Sequence, residues 1–149
     1  MRCVVQRVSE AFVTVDGTET GRIAVGLAAL IGVEAGDTEK DAAYLAGKIV
    51  KLRIFEDENE KMNLSVKDVN GGVLAVSQFT LLGDARGQNR PGFTRAEAPE
   101  RANALYEACC EEIRRQGVAV ANGVFRTHMM VHLINDGPVT ILLDSRKTF

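Results

Sequence analysis

The chain has 149 residues, 46% apolar and 26% charged, a globular composition with room for one domain and its core over residues 1–149. Its 18 Lys and Arg against 20 Asp and Glu leave a net charge of −2, which excludes nucleic-acid binding by bulk electrostatics and confines any such contact to a local patch. No apolar run approaches the roughly 20 residues of a membrane helix, the opening Met1-Arg2-Cys3-Val4-Val5-Gln6-Arg7 lacks a signal-peptide core, and the three cysteines fit neither a disulfide framework nor a zinc spacing, so reduced thiols and a cytoplasmic location are expected.

Residues 2 to 33 are strand-like. Val4, Val5, Val8, Phe12, Val13 and Val15 form a dense apolar group, and Asp16-Gly17 marks a turn. Glu19 to Val25 reads as a second hairpin arm. Leu27 to Val33 carries no charge, as expected of a strand buried on both faces. Thr38-Glu39-Lys40-Asp41 opens a helix with capping-box form. Ala42, Leu45, Ala46, Ile49 and Val50 fall on its inner face. Arg53-Ile54-Phe55 reads as a short strand, Glu56 to Lys61 as a solvated loop, and Lys61 to Val66 as irregular.

Gly71-Gly72 precedes the strongest strand of the middle, Val73 to Leu82, which is apolar first and turns polar at Ser77, Gln78 and Thr80. Such a strand end can hold hydroxyl and amide groups rigidly at the mouth of a core; equally, it can simply reach solvent. A loop of about 15 residues follows, Gly83 to Ala98, with Arg86, Arg90 and Arg95 among its glycines. Guanidinium forks match phosphate oxygens, and long loops are often functional. Pro99 suits the first turn of a second helix. Ala102, Leu105, Tyr106, Cys109 and Ile113 form its stripe, Cys110 its flank, and Gly117 its end.

Two apolar runs close the chain, Met129 to Ile134 and Val139 to Leu143, each expected as a strand. Asn135-Asp136-Gly137 between them predicts a tight turn. Proline at 138 admits either a plain trans turn or a cis bond that would aim two carbonyls in an unusual direction. His128 and His132 would share one face of such a strand, but no further ligand spacing accompanies them, so no metal site is expected. The order of elements argues for one α/β domain, α+β-like, with a mixed and mostly antiparallel sheet and two helices.

Ser77-Gln78-Phe79-Thr80-Leu81, followed about 55 residues later by Asn135-Asp136-Gly137-Pro138-Val139-Thr140, resembles the D-aminoacyl-tRNA deacylase (D-Tyr-tRNA deacylase) family. The opening Met1 to Val8, Lys61-Met62-Asn63-Leu64-Ser65, Gly83-Asp84 and Arg90-Pro91 extend the likeness over essentially the whole chain. The resemblance implies a barrel-like deacylase fold and a cofactor-free, metal-free homodimer with its active site at the subunit interface. It implies hydrolysis of the ester that joins a D-amino acid, or mischarged glycine, to the 3′-terminal adenosine of tRNA. Ser77, Gln78, Phe79 and Thr80 would form the catalytic wall. A cis Gly137-Pro138 unit from the partner would reject L side chains, and Arg86 and Arg90 would contact tRNA. Thr80 matches a family threonine once considered as nucleophile, yet no activating base lies near it in sequence, so backbone groups and the ribose 2′-hydroxyl are expected to do the work. Gly87-Gln88-Asn89-Arg90-Pro91-Gly92-Phe93 carries less positive charge than the family pattern, and Phe125-Arg126-Thr127-His128-Met129 departs from its small and acidic residues. The competing readings are a tRNA-end binding module without catalysis and a general esterase; the latter lacks a recognisable triad.

Overall fold

A computed structural model describes residues 1–149. The strand β1, Arg2–Val15, is its spine. Along one edge β1 pairs antiparallel with β8, Met130–Asp144, from end to end. Along the other edge its first half pairs with β3, Gly26–Gly32, and its second half with β2, Thr18–Ile23, both antiparallel. β6, Gly72–Ser77, and β7, Val120–Asn122, then join β3 in parallel, giving the sheet order β2-β1-β3-β6-β7. The sheet curls until β2 meets β7. Gly21 makes this possible, because a Cβ there would sit 2.5 Å from the Asn122 carbonyl oxygen. The mixed, mostly antiparallel, nearly closed sheet with two helices agrees with the sequence reading.

The core follows strand parity. Leu27, Ala29, Ile31, Val73 and Ala75 point to the helical layer, while Ala28, Leu74 and Val76 point into the curl with Val8, Ala11 and Val13. β3 and β6 are thus apolar on both faces because both faces are covered. On β1 the register slips between Gln6 and Val8 and again before Glu10. That slip lets Val8 and Ala11, at an odd separation, share one face.

Helix α1, Glu39–Lys51, buries the five positions its periodicity predicts. At its start Asp41 accepts a hydrogen bond from the Thr38 amide, 2.8 Å. Helix α2, Pro99–Arg115, buries its expected stripe and also Cys110, which the sequence placed at the flank. Asn122 draws Cys110 inward by donating to its Sγ, 3.4 Å, and to Tyr106 Oη, 2.8 Å. Truncating a fully buried anchor such as Leu45 or Ile113 costs roughly 2–5 kcal/mol in comparable cores.

Five sequence expectations change. The short strand β4 is Phe55–Glu56, shifted off Arg53 and Ile54, and Met62–Leu64, expected as irregular, is its antiparallel partner β5. The strand expected from Val73 to Leu82 stops at Ser77, and Phe79–Leu82 forms a 3-10 turn. The two terminal strands are one, because β1 is long enough to pair with both. Asn135-Asp136-Gly137 is therefore not a hairpin turn but the start of a bulge. Val120–Asn122, between α2 and the terminal run, adds a parallel strand that was not foreseen.

Candidate active site

The pocket begins where β6 leaves the sheet. Val73 to Val76 are fully or nearly buried, and the chain emerges at Ser77. Gln78 keeps one more sheet bond, its amide donating to the Ile31 carbonyl at 2.8 Å. The 3-10 turn then starts, pinned by buried Leu82 and closed by Gly83 N–H to Thr80 O at 3.0 Å. Leu81 is the first residue to donate within the turn, to Gln78 O at 3.3 Å. The N–H groups of Phe79 and Thr80 precede it and have no partner inside the turn, as at any helix start. Phe79 stands 57% exposed and packs edge-on against Phe93, with 5.1 Å between ring centres.

Thr80 Oγ1 accepts from the Gln78 side-chain amide at 3.0 Å, and no histidine, lysine or carboxylate is hydrogen-bonded to it. A nucleophile–base pair is therefore not formed at this hydroxyl.

Ser77 to Thr80, with Val33 and Val76, form one wall of a cleft of about 740 Å³. Phe125 to Met129 and Val131 form the opposite wall, and Ala96, Glu97, Pro99 and Ala102 lie between them. This volume is in the range of small-molecule sites. Glu97 is already committed: backbone N–H donation from Ala98 and Gly36 holds its carboxyl below the usual range. Sequence reasoning missed this wall except for noting Arg126 and His128 as departures; β7 and the turn after it fold back over the end of β6, a placement no local pattern encodes.

His128 precedes β8 and lines the cleft, whereas His132 lies within β8 and stacks on Phe12, ring centres 4.3 Å apart. The two histidines thus do not share a strand face as expected, and no group of three His, Cys, Asp or Glu is placed to hold a metal ion. Burial pushes the Cys109 thiol up to about 12 and raises Cys3 and Cys110 as well, so none is a poised nucleophile.

Gly137 and Pro138 lie elsewhere. Their peptide bond is cis. Val8 pairs with Asn135 and Gln6 with Thr140, so Asp136 to Val139 bulge out opposite Arg7 alone. Arg7, only 7% exposed, braces the bulge from beneath: Nε donates to the Asp136 carbonyl at 3.0 Å and Nη1 to the Ile54 carbonyl at 2.7 Å. Asn135 Oδ1 accepts from the Val139 amide at 3.1 Å and clips the bulge across its neck. Gly137 holds φ +136, and a Cβ there would meet Val139 Cγ2 at 2.8 Å and Arg7 Nη2 at 3.1 Å. Gly137 and Pro138 themselves are exposed. Val131, the last β8 residue on the cleft, is seven residues before Pro138, roughly 20 Å along an extended strand. One chain therefore does not bring its two motifs together.

Arg86 and Arg90 do not line the cleft either. Arg86 is bound to Asp84 through Nε at 2.9 Å and holds that carboxyl far below its usual range. Arg90 is exposed and makes no ion pair. No helix is long and apolar enough to cross a membrane.

The model of the family "D-Tyr-tRNA(Tyr) deacylase" matches residues 4–144. A D-aminoacyl-tRNA deacylase from Anaeromyxobacter dehalogenans is 61% identical over 149 residues, covering all of both chains. One from Thermotoga petrophila is 59% identical over 149 residues with the same full coverage. Among solved structures, a c-Myc DNA unwinding element binding protein superposes with TM-score 0.92 at 40% identity, over 97% of this chain and 98% of that one. A structure described as a probable eukaryotic D-amino acid tRNA deacylase shares the fold, with TM-score 0.79 at 18% identity, over 95% of this chain and 97% of that one.

Proposed function

The chain belongs to the D-Tyr-tRNA(Tyr) deacylase family, and on that premise we propose that it hydrolyses the ester of D-aminoacyl-tRNA, and of mischarged glycyl-tRNA, in the cytoplasm. The observation that carries the reading beyond membership is the cleft walled by Ser77 to Thr80, whose 3-10 turn presents free N–H groups and no nucleophile–base pair. The terminal adenosine and its aminoacyl group enter this cleft. The Phe79 and Thr80 amides receive the ester carbonyl oxygen and stabilise the charge it gains as water adds to the carbon. The new C–O bond to water forms, the bond to the ribose 3′-oxygen breaks, and the proton lost by water ends on that oxygen, with the 2′-hydroxyl as relay. No cofactor or metal takes part.

Chiral selection comes from a second copy of the chain. The outer edge of β8 is unpaired, and Met130, Ile134 and Leu142 stand 56%, 58% and 58% exposed along it. A free, apolar strand edge favours pairing with a copy of itself. Such a homodimer supports delivery of the exposed Gly137–Pro138 unit to the partner's cleft, where its carbonyls would meet the side chain of an L residue and leave D residues and glycine untouched.

Purified protein incubated with D-Tyr-tRNA and L-Tyr-tRNA tests this. Release of D-tyrosine with L-Tyr-tRNA spared is the expected result. Binding of both without turnover would instead make the chain a tRNA-end binding module.

A further inference from the structure

We propose that Arg126 binds the phosphodiester immediately 5′ of the terminal adenosine, so that the cleft grips tRNA by one backbone phosphate as well as by its aminoacyl end. This inference rests on the deacylase reading of the same cleft.

Three charged or titratable side chains line the cleft: Glu97, Arg126 and His128. Glu97 accepts from Ala98 and Gly36 and lies 3.6 Å from Arg101. Arg126 has no hydrogen bond and no carboxylate within ion-pair distance, and it is exposed. A permanently charged, unpaired guanidinium at the lip of a cleft is a fork with no acceptor yet in place.

The backbone beneath it supports a binding role. Thr127 N–H and Oγ1 both donate to Val124 O, at 3.3 and 2.8 Å, so Val124 to Thr127 form a β-turn with Arg126 at its third position. Arg126 holds φ +61, while Phe125 is not in the left-handed region. That is the glycine position of a type II turn. Arginine gains nothing for the turn there, since an L side chain is disfavoured at such φ. The tip projects the side chain over the cleft instead, and Gly123 N–H to Ala75 O at 3.1 Å ties the turn's base to β6. Arg86 is occupied by Asp84, so Arg126 supplies at the cleft a cation that the long loop withholds.

The ligand follows from the chemistry of the substrate. An aminoacyl adenosine held against Ser77 to Thr80 carries no phosphate of its own. Its nearest anion is the diester that joins it to the preceding nucleotide, one sugar away. Arginine reads it as a charge, independent of sequence.

The test compares D-Tyr-tRNA with 3′-O-(D-tyrosyl)adenosine, which lacks that phosphate. R126G suits the turn and should keep or raise Tm, while R126K keeps the charge but not the fork. For R126G, kcat/KM on D-Tyr-tRNA should fall roughly tenfold more than on the adenosine ester, through KM. The slope of log KM against log salt should flatten by about one phosphate contact. R126K should lie between wild type and R126G. An unchanged ratio between the two substrates in R126G, with wild-type salt dependence, would overturn the inference while leaving the deacylase reading standing. A wild-type protein inactive on both substrates would defeat that reading, and this inference with it.

Discussion

The two sequence motifs leave their strands in opposite ways. At Ser77 to Thr80 the strand simply ends, the sheet hands over to a 3-10 turn, and amide groups are left open beside a cleft. At Asp136 to Val139 the strand does not end; it bulges, and the bulge is tied at its two ends by Arg7 and Asn135 while Gly137 and Pro138 face outward. The first region offers unsatisfied donors and must wait for a ligand. The second is braced at both ends and offers an exposed contour. Donors suit the binding of developing charge, and a braced contour suits exclusion. Gly137 and Pro138 do not line the cleft of their own chain, a separation that the proposed homodimer would bridge.

The sharpest way to break this contrast is to part the two copies of the proposed dimer. Ile134→Asp puts a charge on the exposed β8 edge without touching the core. Gel filtration should show a monomer, and D-Tyr-tRNA hydrolysis should fall at least a hundredfold. A folded monomer with full activity would mean that the bulge serves no partner.

Gly137→Ala comes next. Its Cβ must displace Val139 or Arg7, so the D-over-L preference in kcat/KM should drop by tenfold or more. Retained preference would show that the contour tolerates remodelling. Arg7→Ala removes both carbonyl contacts and leaves the Ile54 carbonyl without its buried donor. A loss of roughly 2–3 kcal/mol in urea unfolding is expected. The smallest effect belongs to Thr80→Ala. It deletes one hydroxyl and its bond from Gln78, and activity should remain within about tenfold of wild type. Complete loss with intact folding would restore a side-chain nucleophile.

The same contrast explains what could be read from sequence. β3, α1 and α2 were legible because their periodicity records burial that their own residues create. The continuous β8 was not, because its identity depends on β1 being long enough to span both apolar runs, and Asn-Asp-Gly is a turn signal only when nothing pairs across it. Arg7 carried the one overlooked local signal, a lone arginine inside an apolar strand between Val5 and Val8. Its purpose becomes visible only when Asp136 and Ile54 arrive from opposite ends of the chain. The resemblance already assigned Ser77 to Thr80 and Gly137-Pro138 to different subunits of one site; the bulge that sets Gly137-Pro138 outward from β8 was not legible, because it depends on pairing with β1.

Acid stability follows the carboxylates rather than the cleft. Asp144 is held below its usual range: burial works against it, but donation from Thr148 and from the amides of Arg146 and Thr148 prevails. Asp41 and Glu97 are lowered too. A depressed carboxyl contributes stability that is present above its unfolded pKa, near 4, and lost as pH falls through the lower folded value. Tm should therefore be nearly level from pH 7 to 5 and decline below about pH 4, as a thermal melt series would show.

Arg7 also works as a strut across the molecule. One end of its guanidinium holds the chain just after α1, at Ile54, and the other holds the Asp136 carbonyl at the root of the bulge. The root of the bulge is thereby linked to the chain after α1 by a path that does not run through the cleft. Under the proposed gating role of Gly137, selectivity would be open to tuning from the α1–β4 junction, away from the cleft.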